Sequence, residues 1–184
     1  QDDLSSRARE LHAALERTRA AVAECETLAH ALDSLRGDHA GASDDRKKAI
    51  EKEFAEKAAR FDLLQKKLHA DVEALRREID RAVTLDPDDA GIRDARSQLR
   101  ELLGDLDGAA EDLDRMLRVK PDRAGWVVRR ADLDRRRNRY AEARRRLAGL
   151  VAKDVAAQAV DGLSAFALDE YAAAVERLEA ASKS

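Results

Sequence analysis

Two prolines in this chain lie 34 residues apart, and each lies within a similar nine-residue segment. The first segment is AVTLDPDDA, around Pro87, and the second is MLRVKPDRA, around Pro121. An internal period of this length is typical of stacked helix–turn–helix repeats, because each such hairpin buries its apolar face only against its neighbours. The spacing therefore predicts a helical repeat array in the C-terminal half.

The composition favours helices in the rest of the chain as well. Of 184 residues, 8 are glycine and 2 are proline, while 40% are charged and 3% are aromatic. This mixture suits long helices with a narrow apolar stripe and suits sheets poorly. The sequence predicts an all-α protein in which a long antiparallel hairpin, a coiled coil, continues into a short α-solenoid. No apolar run approaches the ~20 residues of a membrane helix.

Two heptad patterns fill the N-terminal half. Apolar or small residues from Leu4 to Leu32 follow at alternating steps of four and three, which predicts a helix over about residues 4–35. A second helix is predicted over about residues 45–85, ended by Pro87. The segment RGDHAGAS, residues 36–43, contains two glycines and is predicted to be the loop between them.

The loop position also predicts register and domain limits. With a turn centred near residues 38–41, Leu32 should lie opposite residues 47–50. The hairpin domain is predicted over residues 1–75 and the repeat domain over residues 76–184. The last turns of the second helix would then belong to the repeat domain without a break in the helix.

Predicted turns and second-helix patterns also recur at the repeat spacing. Turns are predicted at Gly104–Leu106, at Asn138–Tyr140 and near Tyr171, each followed by small and apolar residues of a second helix. Over about residues 76–181 the chain resembles the tetratricopeptide repeat (TPR) family, with units at about 90–123, 124–154 and 155–181. Arg96 and Arg100 depart from the family pattern, since apolar or aromatic residues are usual at their positions.

The resemblance implies a TPR-like α-solenoid that binds partner segments in a groove formed by the first helix of each unit. Carried over by position, the implied groove residues are Asp94, Gln98, Glu101, Val128, Asp132, Arg135, Arg136, Leu163 and Phe166. Their side chains run from acidic through basic to apolar, and such a gradient can set the orientation of a bound segment.

The sequence contains no pattern of a catalytic or metal site. The four histidines are scattered without metal-ligand spacing, and there is no glycine-rich phosphate loop. Cys25 lies on the first heptad stripe, where a small buried side chain is expected. Arg36-Gly37-Asp38 spells a cell-adhesion tripeptide in the predicted loop, although three-residue matches are common by chance. We therefore predict a protein that is not an enzyme and needs no cofactor or metal.

Arginine is concentrated in the second unit. Nine arginines lie between residues 129 and 146: Arg129, Arg130, Arg135, Arg136, Arg137, Arg139, Arg144, Arg145 and Arg146. This pattern fits a solvated face with local ion pairs, an anchor for an acidic peptide segment, or phosphate contacts to nucleic acid. Nucleic acid is the least favoured of the three, because few aromatic side chains are present to stack on bases and the formal net charge is −3.

The sequence favours a protein–protein interaction scaffold or adaptor that binds a partner segment in the groove. The alternatives are a structural protein that self-associates through its coiled coil and a basic-patch nucleic-acid binder. We expect a soluble protein, either cytoplasmic or an exported mature chain if a signal was cleaved before Gln1. Partner identity and compartment stay open at this point.

Overall fold

The structure of the chain is a computed structural model that describes residues 2–182, and it describes side chains from residue 6 onward. Within this range it contains eight helices and no strand. The helices are α1 (Asp2–His39), α2 (Asp44–Leu85), α3 (Ala90–Leu102), α4 (Leu106–Val119), α5 (Ala124–Arg136), α6 (Tyr140–Leu147), α7 (Val155–Ala167) and α8 (Tyr171–Ser182). The predicted all-α fold is confirmed.

The chain divides into two compact units, Gln1–Ala95 and Arg96–Ser184, with the division inside α3. We call them the N-terminal unit and the C-terminal unit. The predicted domain boundary after residue 75 falls inside α2 and stays a prediction. As expected, α2 runs through this position without a break. Its end is also as predicted, at Leu85 just before Asp86 and Pro87.

In the N-terminal unit, α1 and α2 form an antiparallel hairpin held by apolar side chains and ion pairs. The buried residues of this hairpin include Leu11, Leu15, Leu28, Leu32, Leu35, Ile50, Val72, Leu75, Ile79 and Val83. They follow the two predicted heptad stripes; the side chain of Leu4 lies outside the described residues. Arg60 of α2 donates a hydrogen bond to Glu24 of α1 at 2.5 Å. The long stripes are therefore buried against each other.

The predicted loop at residues 36–43 is wrong over its first half. α1 continues through Arg36, Gly37 and Asp38 and ends at His39. One glycine costs only about 1 kcal/mol in a helix interior, and the packing of this turn offsets that cost. Leu35 is buried beside Ile50, and the Arg36 guanidinium lies 5.3 Å from the centroid of the Phe54 ring.

Because the turn between α1 and α2 comes later in the chain than predicted, the pairing of residues between the two helices is also shifted. Glu24 meets Arg60, which is about one helical turn further along α2 than the predicted register allows. The Arg36-Gly37-Asp38 tripeptide is therefore part of a regular helix and does not lie in a loop.

The C-terminal unit consists of helical hairpins that pack in chain order. We call α3–α4 the first repeat, α5–α6 the second repeat and α7–α8 the third repeat. Contacts link α4 with α5, α6 with α7, and α5 with α7. One apolar core lies around Leu113, Met116 and Leu133, and a second lies around Ala131 and Leu147. Stacking of adjacent repeats thus creates the apolar core, as expected of a repeat array.

Each of the three hairpins turns in the same way. Gly104, Asn138 and Asp169 have positive φ angles of 79°, 60° and 60°. In each turn the backbone N–H of the following residue donates to the carbonyl five residues earlier, at 2.8 to 2.9 Å. This arrangement is the Schellman end of a helix, which satisfies carbonyls that the helix leaves free. The turns are 34 and 31 residues apart and give a residue-by-residue alignment of the repeats.

The two helices of each repeat approach closely at a small residue of the first helix. A β-carbon at Gly162 of α7 would lie 2.9 Å from Leu178 Cγ of α8, closer than side-chain atoms normally come. The aligned positions in the earlier repeats, Ala131 and Ser97, are fully buried. The small side chain at this position therefore lets the two helices of each repeat pack closely.

Candidate functional site

Three buried carboxylates organise the charged side chains of the repeats. In the first repeat, Asp112 of α4 is 1% exposed. It accepts a bidentate pair from Arg96 at 2.6 and 2.9 Å and a further hydrogen bond from Arg100 at 2.9 Å. The departure of Arg96 and Arg100 from the TPR pattern is thus explained, because both arginines pair with one buried acid.

The second repeat has a similar group of a buried acid and arginines, built from different positions, that joins three helices. Asp134 of α5 is 1% exposed and accepts a hydrogen bond from Arg146 of α6 at 2.7 Å. Arg130, 5% exposed, lies 2.5 Å from Asp134 and donates to Asp114 of α4 at 2.8 Å. Burial opposes the charge on Arg130, but its contacts with the two acids outweigh that effect and raise its pKa above the ordinary value.

The third repeat also has a buried acid with arginine partners. This acid is Asp161 of α7, which is 4% exposed. Arg144 of α6 donates to Asp161 at 2.9 Å, and Arg177 of α8 lies 3.5 Å from the same carboxylate. The hydrogen bond from Arg144 to Asp161, with a further one to Glu170, raises the pKa of Arg144. Each repeat therefore contains one acid that is buried and paired with arginine, away from the solvated face.

Most of the arginine cluster is engaged within the protein. Eight of its nine members lie within ion-pair distance of carboxylates; their acidic partners are Glu101, Asp107, Asp114, Asp132, Asp134, Glu142, Asp161 and Glu170. Several of these pairs cross from one repeat to the next. The cluster therefore contributes to stacking, and only part of it remains available to a partner.

The charged part of the predicted groove lies on α3 and α5. Arg129 donates to Glu101 at 2.5 Å, whereas Arg136 lies 3.7 Å from Glu101. Arg135 pairs with Asp132 of its own helix at 2.7 Å. The side chains of Arg135 and Arg136 are 29% and 35% exposed. Gln98 is half-buried on α3.

Two predicted groove residues lie elsewhere. Val128 is 8% exposed and belongs to the core with Ala131 and Leu147, so its side chain is not part of an open surface. Asp94 lies in the N-terminal unit, where its carboxylate is 3.3 Å from His12 Nε2. The remaining predicted groove residues all belong to the C-terminal unit.

The apolar end of the predicted groove lies on α7. Leu163 and Phe166 are 44% and 59% exposed. The Phe166 ring meets the Tyr171 ring of α8 edge to face, with centroids 5.7 Å apart. Leu168, Tyr171 and Val175, which the sequence did not single out for the site, are also exposed. The third repeat therefore carries several exposed apolar side chains, which is a common property of interaction surfaces.

Cys25 is 9% exposed, as predicted for a buried small side chain, and burial, with a smaller effect of Glu24, raises its thiol pKa. Among the described residues, no group of three or more His, Cys, Asp or Glu side chains could hold a metal ion. None of the described helices is long and apolar enough to cross a membrane.

Comparison with known proteins places this arrangement in a fold class. No protein-family model and no curated protein sequence matches the chain. A tetratricopeptide repeat protein from Parabacteroides merdae is 15% identical with a TM-score of 0.57, and the match covers 94% of this chain and 66% of that one. A mutant of MamA is 14% identical with a TM-score of 0.54, and the match covers 100% of this chain and 99% of that one.

These similarities show the fold, which is that of a TPR-like helical repeat protein. The chain spans slightly less than two thirds of the Parabacteroides merdae protein.

Proposed function

We propose that this protein is a non-enzymatic interaction scaffold whose C-terminal unit binds a segment of a partner protein. TPR-like arrays present the first helices of their repeats side by side, and such surfaces suit an extended or helical segment. The observation that carries the proposal is that α5 contacts α7 and that predicted groove residues on both helices, Arg135, Arg136 and Leu163, are at least partly exposed. Together with Glu101 of α3, which pairs with Arg129 of α5, these residues form the proposed row.

The arginines of this row can exchange an internal partner for an external one. Glu101 already has a close partner in Arg129 at 2.5 Å, so the longer 3.7 Å pair with Arg136 contributes less. A carboxylate of a partner can take the guanidinium of Arg136 while Glu101 keeps its other ion pair. We therefore infer that the preferred segment is acidic, with an apolar side chain directed at Leu163.

The extensive ion pairing of the arginine cluster within the protein also disfavours nucleic-acid binding. Phosphate binding depends on cations that can neutralise phosphates, and most guanidinium groups here already neutralise carboxylates. For this reason we propose a protein partner and no nucleic acid.

The test measures binding of a short labelled peptide rich in Asp and Glu, by fluorescence anisotropy. The double variant Arg135→Glu with Arg136→Glu should weaken binding by at least about tenfold, because two charge-assisted contacts become repulsive. Arg145→Glu is the matched control, since its side chain is 76% exposed and lies outside the groove. The peptide in which Asn and Gln replace the acids should bind weakly to all three proteins.

Equal binding of the acidic peptide to the wild type and to the double variant would contradict the groove assignment. The double variant should keep the helical circular dichroism signal of the wild type, since both arginines are partly exposed.

A second candidate function, self-association through the N-terminal hairpin, is favoured by a cleft along α1 and α2. Small side chains of α1, including Ala14 and Ala21, leave open space beside Leu64 and Leu68 of α2. A third helix can fill such space in a coiled coil. The two candidates are compatible, because they use different units of the chain.

A further inference from the structure

The three aligned hairpin turns define one further surface. We call the outgoing face of a repeat the side that meets the first helix of the following repeat. In the third repeat the outgoing face contains Phe166, Tyr171 and Val175. By the alignment of turns at Gly104, Asn138 and Asp169, these positions correspond to Glu101, Leu106 and Ala110 in the first repeat and to Arg135, Tyr140 and Arg144 in the second.

In the first repeat this face is covered by α5. Glu101 accepts a hydrogen bond from Arg129 of α5 at 2.5 Å. Leu106 and Ala110 belong to the core that includes Leu133 and Trp126 of α5. Ala110 is 3% exposed as a result. Apolar contact at the centre and ion pairs around it thus hold the incoming helix.

In the second repeat the same face is covered by α7. Arg144, which aligns with Ala110, donates to Asp161 of α7 at 2.9 Å. The first two repeats therefore both use the position of Ala110 and Arg144 to receive a helix. The stacking interface is established twice in this molecule, and the third repeat presents its continuation.

In the third repeat the same positions are apolar and exposed. Phe166 is 59% exposed, and Tyr171 and Val175 are each 56% exposed. Their counterparts on the first repeat are packed under α5, so this exposure shows that no described helix covers them in the same way. An exposed group of two aromatic rings and a valine is unfavourable in water and favours a helix that would bury it.

The charges around this face indicate which helix fits. Four exposed acidic side chains and one arginine lie on α8 and in the turn before it; the acids are Asp169, Glu170, Glu176 and Glu179. Glu179 occupies the position of Asp114, whose carboxylate accepts a hydrogen bond from Arg130 of α5 at 2.8 Å. A second copy of the same acidic face would add like charges, whereas a basic helix complements them.

We propose that the outgoing face of the third repeat is a docking site for a basic amphipathic helix of a partner protein. Such a helix would lie on Phe166, Tyr171 and Val175 as α5 lies on the first repeat, with Lys or Arg side chains directed at the acidic rim. This site shares Phe166 with the predicted groove but does not include Arg135 or Arg136, so it does not depend on the acidic segment proposed for the groove.

The probe is a synthetic peptide with the sequence of residues 122–137, DRAGWVVRRADLDRRR, because this segment contains the helix that covers the first outgoing face. Binding to the full chain is measured by isothermal titration calorimetry. Val175→Glu should weaken binding by at least about tenfold. If charge attraction alone drove binding, Val175→Glu would strengthen it, because the variant adds a negative charge that attracts a basic peptide.

Val119→Glu is the matched control, since Val119 lies in the same unit, is 71% exposed, and receives the same change. It should bind the peptide as the wild type does. Glu179→Lys is a second variant that leaves the apolar centre intact, and it should weaken binding severalfold. The variant with both Arg135→Glu and Arg136→Glu should bind this peptide normally, which separates the two proposed surfaces.

Three results would overturn the proposal. The first is equal binding to the wild type and to Val175→Glu. The second is equal binding of a control peptide in which Glu replaces the residues at 129, 130, 136 and 137. The third is a mass of the protein alone that rises with concentration and no longer does so in Val175→Glu, because a second copy would then be the occupant of this face.

Discussion

At the scale of single residues, the buried carboxylates hold the repeats together in place of part of an apolar core. Asp112 illustrates this role, because it is 1% exposed and receives both Arg96 and Arg100. Removing one side of a buried ion pair leaves an uncompensated charge and usually costs about 3–5 kcal/mol. Arg96 and Arg100 stay partly exposed, with side-chain exposures of 19% and 28%, and water can reach them when the acid is removed.

We therefore expect Asp112→Ala to lower the free energy of unfolding by about 3 kcal/mol, at the low end of that range. Urea denaturation followed by circular dichroism measures the change. Glu111→Ala is the matched control on the same helix, because Glu111 is exposed, and its effect should stay within about 0.5 kcal/mol. A loss of less than about 1 kcal/mol in Asp112→Ala would contradict the structural role of this acid.

At the scale of helices and turns, glycine has opposite effects at two positions. Gly37 lies inside α1, and a β-carbon there would meet no atom within 4 Å. Gly104 has a φ of 79°, which side chains with a β-carbon rarely adopt. Gly37→Ala should raise stability by about 0.5–1 kcal/mol, and Gly104→Ala should lower it by about 1 kcal/mol. Thermal unfolding of both variants checks the two signs, and a stabilising Gly104→Ala would contradict the Schellman turn.

The same two glycines show how far the sequence predicts these elements. Gly104 and Pro87 mark true ends, because a left-handed turn and a missing N–H terminate a helix regardless of distant contacts. Gly37 is only a weak breaker, and the side chains packed near it decide whether the helix continues. The sequence could not reveal this, since Phe54 and Ile50 come close to that turn only in the folded hairpin.

The candidate site was predictable to a similar extent. Spacing from the repeat pattern placed Arg135, Arg136, Leu163 and Phe166 on the surface, and each is at least partly exposed. It also selected Val128, which is buried, because a single position on a helix can face either the groove or the core. The buried acids went unpredicted, because Asp112 and its partner Arg96 are 16 residues apart and nothing in the sequence distinguishes them from solvated charges.

At the scale of the whole molecule, the two candidate functions differ in the mass of the protein. An interaction scaffold that uses its C-terminal unit predicts a mass of 20.4 kDa that does not change with concentration. Self-association through the cleft along α1 and α2 predicts a mass that rises toward twice this value. Light scattering after size-exclusion chromatography, over a wide range of loading concentrations, separates the two.

Leu64→Glu tests the cleft directly, since Leu64 lines it and a buried charge would oppose the entry of a third helix. Leu85→Glu is the matched control at the end of α2, where the leucine is 69% exposed. If the hairpin self-associates, Leu64→Glu should return the mass to 20.4 kDa and Leu85→Glu should not. A constant mass in the wild type would remove this candidate and leave partner binding by the C-terminal unit as the proposed function.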